Sequence, residues 1–232
     1  MSIRSLFIVT GLLSLLAVPA VPVYAAGSGG GSAPIPTRER SFTPEQMSAK
    51  SFRAGIKNRD RALKYEARAA DASKEKTRDK FLARAQKEYA KAIKKQGEAI
   101  RMDPQNYKAA NELGFAYRKT GDYRKAIAAY NFALEINPNY HPATEYRGEA
   151  FLALGLYDLT KRAYMTLFRN DRALADQLMG SFEAWADQKT DPTSDDEQDF
   201  LAWIAERKRL ADMADKLSLH SPQGESAHWP AS

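Results

Sequence analysis

The 232-residue chain contains no cysteine and only three histidines. Without cysteine no disulfide can form, and thiolate metal sites and cysteine nucleophiles are excluded. The histidines, His141, His220 and His228, form no HExxH pair, and the sequence has neither a phosphate-binding glycine loop nor a recognisable Ser/His/Asp set. We therefore predict a protein without catalytic residues, metal or cofactor, and an enzyme whose site these motifs do not reveal is the alternative.

Four carboxylates near the C-terminal end are the one candidate for a cation site: Asp195, Asp196, Glu197 and Asp199. They lack the spacing and the loop glycine of an EF-hand. They follow a helix break at Asp191-Pro192, and carboxylates are favoured at the positive N-terminal end of a helix. The group therefore indicates the start of a helix rather than a calcium site.

The first 25 residues have the pattern of an export signal. Arg4 supplies a positive charge, Leu6 to Val18 is an apolar run, and Val23-Tyr24-Ala25 offers a cleavage site after Ala25. The apolar run is shorter than the ~20 residues of a spanning helix, so we expect cleavage, with an uncleaved membrane anchor as the alternative. The mature chain is then expected to be exported, in the periplasm, and to begin with a flexible Gly/Ser/Pro linker over residues 26–41.

Strict alternation of apolar and polar residues is absent from the rest of the chain, where Ala, Leu, Lys, Arg and Glu dominate. This composition predicts an all-α fold. A repeat of 34 residues organises it: Tyr89, Ala92, Ile93, Ala99, Ile100 and Pro104 return as Tyr123, Ala126, Ile127, Ala133, Leu134 and Pro138. In the same register Gly114, Tyr117, Gly121, Tyr123 and Tyr130 return as Gly148, Phe151, Gly155, Tyr157 and Tyr164. A period of this length predicts stacked helical hairpins.

Small residues and helix breakers take defined roles in such a repeat. Gly114 and Gly148 are expected where two helices cross closely, and Gly121 and Gly155 where a helix ends in the left-handed conformation. The prolines at the end of each unit stop its second helix. Tyrosines are expected to fill the spaces against the small faces of the second helix. The residues concerned are Tyr117, Tyr123, Ala126, Tyr130, Ala133, Pro138 and Tyr157.

Residues Tyr107 to Pro138 resemble a tetratricopeptide repeat, with Leu113, Gly114, Tyr117, Gly121, Tyr123, Ala126, Tyr130, Ala133 and Pro138 in that family's pattern. The unit from His141 to about Asn170 resembles a second one, although Arg147 stands where a leucine is usual and Thr160 where an alanine is usual. The upstream unit, with helices at about Pro44–Ala70 and Lys74–Arg101, fits in its second half only. The resemblance implies a short α-solenoid of about three helix pairs with C-terminal capping helices.

The expected domain organisation follows from this resemblance and from the later helix breaks. A repeat domain is expected over residues 42–190 and includes a capping helix from Arg172 to about Gln188. An acidic break and an amphipathic helix are expected at 191–217, and a disordered tail at 218–232.

The resemblance also implies a function, because in tetratricopeptide arrays the first helices of successive pairs line a concave groove that accepts segments of other proteins. The groove positions of this chain would be Lys108, Asn111, Phe115, Arg118, Lys119, Glu145, Glu149 and Leu152. A family variant clamps a terminal carboxylate with Lys, Asn and Arg side chains, but Glu112, Glu145 and Glu149 disfavour that specificity here. We therefore predict a non-enzymatic scaffold or assembly factor of the cell envelope that binds a protein or peptide partner.

Charge is unevenly distributed along the chain. Residues 38–101 contain 19 Lys and Arg against 9 Asp and Glu, whereas residues 102–232 contain 15 against 20. The basic helices from Arg53 to Lys95 are either a solvated face or a docking site for an anionic membrane or cell-wall polymer. Export and the lack of an aromatic stacking pattern argue against nucleic acid. The two halves could also pair in a head-to-tail oligomer, but the sequence does not predict an oligomeric state.

Overall fold

The computed structural model describes residues 42–189 and 194–219, and within these ranges all regular structure is helical. The eight helices there are α1 (Pro44–Ala70), α2 (Glu75–Met102), α3 (Tyr107–Lys119), α4 (Tyr123–Ile136), α5 (His141–Ala153), α6 (Tyr157–Asn170), α7 (Arg172–Ala186) and α8 (Asp195–Leu219). None of them is long and apolar enough to cross a membrane. The predicted signal peptide and linker lie outside the described residues. So does the predicted tail, except that α8 continues through its first two positions, 218 and 219.

Consecutive helices pack in pairs, α1 with α2, α3 with α4 and α5 with α6. The first helices α3 and α5 begin 34 residues apart, at Tyr107 and His141, and the second helices α4 and α6 begin at Tyr123 and Tyr157. The predicted all-α solenoid of three pairs with C-terminal capping helices is confirmed. Its first pair differs from the others because α1 and α2 have 27 and 28 residues, whereas α3 to α6 have 13 or 14.

Local sequence explains where the helices begin and end. Thr43 caps α1, since its hydroxyl accepts a hydrogen bond from the Gln46 N–H at 3.3 Å and the Gln46 side chain accepts one from the Thr43 N–H. Gly121 ends α3 with a φ of 83° and Gly155 ends α5 with a φ of 67°, as predicted for left-handed helix ends. These turns set the antiparallel course of each helix pair.

The close crossings predicted at two glycines are also present. A Cβ atom at Gly114 would lie 2.5 Å from Cε1 of the buried Tyr130, on the second helix of the same pair. A Cβ atom at Gly148 would lie 2.8 Å from Leu178 on α7 and 3.2 Å from the Cβ of Ala163 on α6. Because Gly148 has no side chain, both α6 and the capping helix α7 can approach α5 at this position. The contact with α7 links the repeat to the C-terminal end of the domain.

The C-terminal helices close the array with an aromatic core. Phe182 of α7 and Phe200 of α8 are fully buried, and their ring centroids are 5.4 Å apart. Residues 191–217 were predicted to lie apart from the repeat domain, but Phe200 and Ile204 of α8 are buried in the same core as residues of α6 and α7. The amphipathic pattern does not hold for the second half, where Leu210 and Met213 are 38% and 45% exposed.

The acidic residues predicted to start a helix lie at the beginning of α8. Asp195, Asp196 and Glu197 occupy its first turn, as predicted. Glu197 is buried and lies 2.6 Å from Nζ of Lys189. No group of three or more His, Cys, Asp or Glu residues in the described part of the chain is arranged to hold a metal ion.

The solenoid has an inner wall of first helices and an outer face of second helices. α1 contacts α3, α3 contacts α5, and α5 contacts α7. The second helices α2, α4 and α6, all described in full, have no Cα atoms within 8 Å of one another. Because the first helices lie closer together than the second ones, the stack curves with its concave side on the first helices.

Candidate functional site

Ion pairs join the first two helices of the inner wall. Nη1 of Arg59 on α1 lies 2.7 Å from Oε2 of Glu112 on α3. In the opposite sense, Nζ of Lys119 on α3 lies 2.8 Å from Oε2 of Glu66 on α1. Each helix therefore contributes one cation and one anion, and the four charges neutralise one another across the α1–α3 contact.

A second set of polar contacts joins α3 to α5 and α5 to α7. Arg118 of α3 forms an ion pair with Glu149 of α5, which also accepts a hydrogen bond from the Ser181 hydroxyl of α7 at 2.9 Å. The Arg118 guanidinium lies 5.4 Å from the ring centroid of Phe115 and 5.2 Å from that of Tyr146. The cation is thus held by a carboxylate and by two aromatic faces.

Glu145 lies beside this ion pair and is almost fully buried. Burial, together with the negative charge of Glu149, raises the pKa of Glu145 to about 8, although Arg118 acts in the opposite direction. The carboxyl group is therefore mostly protonated at neutral pH. Burial also raises the pKa of Glu112, despite the neighbouring Arg59.

Three of the eight predicted groove residues are not accessible. Asn111, Glu145 and Leu152 are 2%, 4% and 7% exposed. The contacts between successive first helices cover them, and Leu152 belongs to the aromatic core below α7 and α8. The prediction that these three side chains face a groove is corrected accordingly, because they pack between helices.

The other five predicted residues retain some exposed surface. Phe115, Arg118, Lys119 and Glu149 are half-buried, and the last three are already in ion pairs within the wall. Lys108 is exposed at the beginning of α3. Arg59, Glu66 and Ser181 also belong to this wall and were not predicted from the sequence. Their charge and polarity are visible in the sequence, but their partners lie 32 to 53 positions away.

The geometry of the central pair agrees with the comparison to known families. A model of the family described as "Tetratricopeptide repeat" matches residues 107–140, which comprise α3, α4 and the turn that follows. Residues 107–140 of this chain therefore form a tetratricopeptide repeat. None of the curated proteins matches it.

Several solved structures are similar to this chain. The first TPR of Spaghetti (RPAP3) bound to the HSP90 peptide SRMEEVD is 20% identical, with a TM-score of 0.41 over 58% of this chain and 98% of that one. The TPR2B domain of yeast Sti1 in a pHsp70 complex is 18% identical, with a TM-score of 0.37 over 57% and 98%. The Sgt2 TPR domain from Aspergillus fumigatus is 20% identical, with a TM-score of 0.35 over 74% and 91%.

The second tetratricopeptide-like unit departs from the family pattern at two positions with different consequences. Thr160, in place of alanine, is buried, and its hydroxyl donates a hydrogen bond to the Leu156 carbonyl at 3.1 Å, so its polar group is satisfied within the chain. Arg147, in place of leucine, lies on the outer side of α5, and its Nη1 donates a hydrogen bond to Oδ1 of Asn131 at 2.7 Å. The first departure is structurally neutral, whereas the second introduces a charge.

Proposed function

We propose that this protein is a non-enzymatic scaffold that holds a segment of a partner protein along its inner wall. The observation that carries the proposal is the continuous contact of α1, α3, α5 and α7, which creates one concave surface from the three first helices and the capping helix α7. Tetratricopeptide arrays use such extended concave surfaces for binding. The location proposed for this role, the cell envelope, is based on the export pattern of residues 1–25.

The polar contacts of the wall limit the chemistry of the proposed ligand. Arg118 and Lys119 are already paired with Glu149 and Glu66, so an incoming carboxylate would have to compete with carboxylates of the protein itself. A strongly acidic segment gains little from Arg118 and Lys119, because both cations are already neutralised. The wall instead favours a segment of mixed charge with an apolar side chain against the half-buried ring of Phe115.

The proposal can be tested by crosslinking from one position of the wall. A photo-reactive amino acid replaces Lys108, which is exposed on α3, and in a matched variant it replaces Arg169, which is exposed on α6. We expect a partner protein to be crosslinked from position 108 and no crosslink to that protein from position 169. Equal crosslinking from both positions, or none from position 108, contradicts the proposal.

A pair of substitutions provides a second readout of the same surface. Phe115→Ala with Arg118→Glu removes the apolar contact and places a carboxylate opposite Glu149, so capture of the partner should be lost. Helicity is measured by circular dichroism to separate this loss from unfolding. Because both side chains also pack within the wall, Lys108→Glu is the milder variant, and it should weaken capture without lowering stability. Unchanged capture by both variants counts against the inner wall.

The basic surface of α1 and α2 favours a second candidate function, docking to an anionic surface. Arg53, Lys57 and Lys64 on α1 are exposed and form no ion pair with any residue that the structure describes. Vesicles that contain phosphatidylglycerol should bind the protein, and binding should weaken steeply as the salt concentration rises. Equal binding to phosphatidylcholine vesicles, or no response to salt, would argue against this candidate.

A further inference from the structure

An open groove lies on the outer side of the repeats, where α4 and α6 are separated. Its floor is the C-terminal part of α5, and its volume is about 560 Å³. Apolar side chains from four segments line it, namely Ile127 of α4, Phe151 and Leu154 of α5, Leu156 of the following turn and Leu159 of α6. Leu154 and Leu156 are 38% and 40% exposed, which is unusual for adjacent large apolar side chains on one turn.

A smaller adjacent pocket shares Phe151 and Leu159 with this groove and is also lined by Arg147, the residue that replaces the leucine of the repeat pattern. The Arg147 guanidinium lies 5.7 Å from the ring centroid of Phe151 and donates one hydrogen bond, to Asn131. Its Nε is buried and has no hydrogen-bond acceptor among the described residues. Burial lowers the pKa of Arg147, and no carboxylate acts in the opposite direction. Arg147 is therefore a half-buried cation whose charge is not balanced within the described chain.

The rim of the groove has the same sign of charge. Arg124 of α4 and Arg162 of α6 are exposed on either side of it, and neither forms an ion pair with a described residue. The inner wall differs in this respect, because its half-buried arginines Arg59 and Arg118 are each paired with a glutamate. Three unpaired arginines around an apolar floor are complementary to an anionic ligand that also has apolar groups.

We propose that the groove between α4 and α6 binds a peptide segment of a partner protein in which a carboxylate side chain is flanked by large apolar side chains. The carboxylate would pair with Arg147 and so neutralise a guanidinium that is already partly desolvated. The flanking apolar side chains would cover Phe151, Leu154 and Leu159. This surface is separate from the inner wall, so a ligand in the groove leaves the inner wall free.

Fluorescence polarisation with the full chain and two synthetic peptides tests the proposal. One labelled peptide carries glutamates between leucine and phenylalanine residues, and the matched peptide has glutamine in place of each glutamate. We expect the acidic peptide to bind, and Arg147→Leu to weaken its affinity about tenfold or more, the range of a hydrogen bond to a charged group. Arg147→Leu restores the side chain of the repeat pattern and is expected to fold. Arg169→Leu, an exposed position outside the groove on α6, should have no effect on affinity.

Equal affinity for the two peptides, or equal binding by Arg147→Leu and the unsubstituted protein, overturns the proposal. A photo-reactive amino acid at Leu154 identifies the other occupants. Crosslinks to a second copy of the chain, or to residues 220–232 of the same chain, that persist when the acidic peptide is in excess also overturn it. Crosslinks to the acidic peptide that Arg147→Leu abolishes support it.

Discussion

Substitution of Gly114 by alanine is the most direct test of the helix crossing on which the repeat depends. The added Cβ would lie 2.5, 2.7 and 2.9 Å from Cε1, Cδ1 and Cζ of Tyr130, whose side chain is fully buried. Overpacking of this kind costs about 1–3 kcal/mol. The better helix propensity of alanine returns at most about 1 kcal/mol. We therefore expect Gly114→Ala to lower the free energy of unfolding by about 1–2 kcal/mol.

Two other glycines provide matched controls within helices. At Gly180 of α7 the added Cβ would meet no atom of the described residues within 4 Å beyond the local backbone of its own helix, so Gly180→Ala should stabilise the protein by about 0.5–1 kcal/mol. At Gly148 the nearest atoms belong to the flexible end of Leu178, so the effect should lie between the other two. Urea titrations followed by circular dichroism measure all three variants. If Gly114→Ala is as stable as Gly180→Ala, the close crossing at Gly114 is refuted.

Three further predictions follow from individual residues. Arg147→Leu should raise the free energy of unfolding by about 1 kcal/mol in urea titrations, because it replaces an unpaired, half-buried cation by an apolar side chain; a loss of stability would contradict this. The pKa of Glu145 is raised by folding, so the folded state holds a proton that the unfolded state releases, and stability should fall as the pH rises from about 5 to about 8. Glu145→Gln should reduce this pH dependence of the urea midpoint, and an unchanged profile would show that another group causes it. Gly121→Ala should lower the free energy of unfolding by about 1 kcal/mol, because alanine at a φ of 83° is forced into the left-handed conformation. A melting temperature equal to that of the unsubstituted protein would contradict this.

The helices were predictable from the sequence because their ends are determined by nearby residues. Pro44 after a capping threonine, the glycine at position 121 and the prolines at the ends of units all act within a few positions. The start of α1 at Pro44 and of α7 at Arg172 therefore agrees with the prediction. The repeat length also fixed the pairing of helices, because each 34-residue unit contains one first helix and one second helix.

The surface of the inner wall was less predictable because burial depends on the angle and distance between successive hairpins. The family pattern places Asn111, Glu145 and Leu152 toward a groove, but the approach of α3, α5 and α7 covers them. The pairing of Arg59 with Glu112 spans 53 positions and has no local signal. Arg147 was predictable in part. Its departure from the repeat pattern is visible in the sequence, but only the structure shows that no described carboxylate pairs with its guanidinium.

The capping helices have a consequence for how far the array can grow. A further hairpin after α6 would have to stack where α7 and α8 now lie, and Phe182 and Phe200 seal that end against water. Elongation in the C-terminal direction would require these two helices to detach and expose their aromatic side chains. The C-terminal end of the array, and with it the extent of the concave side in that direction, is thus set by α7 and α8.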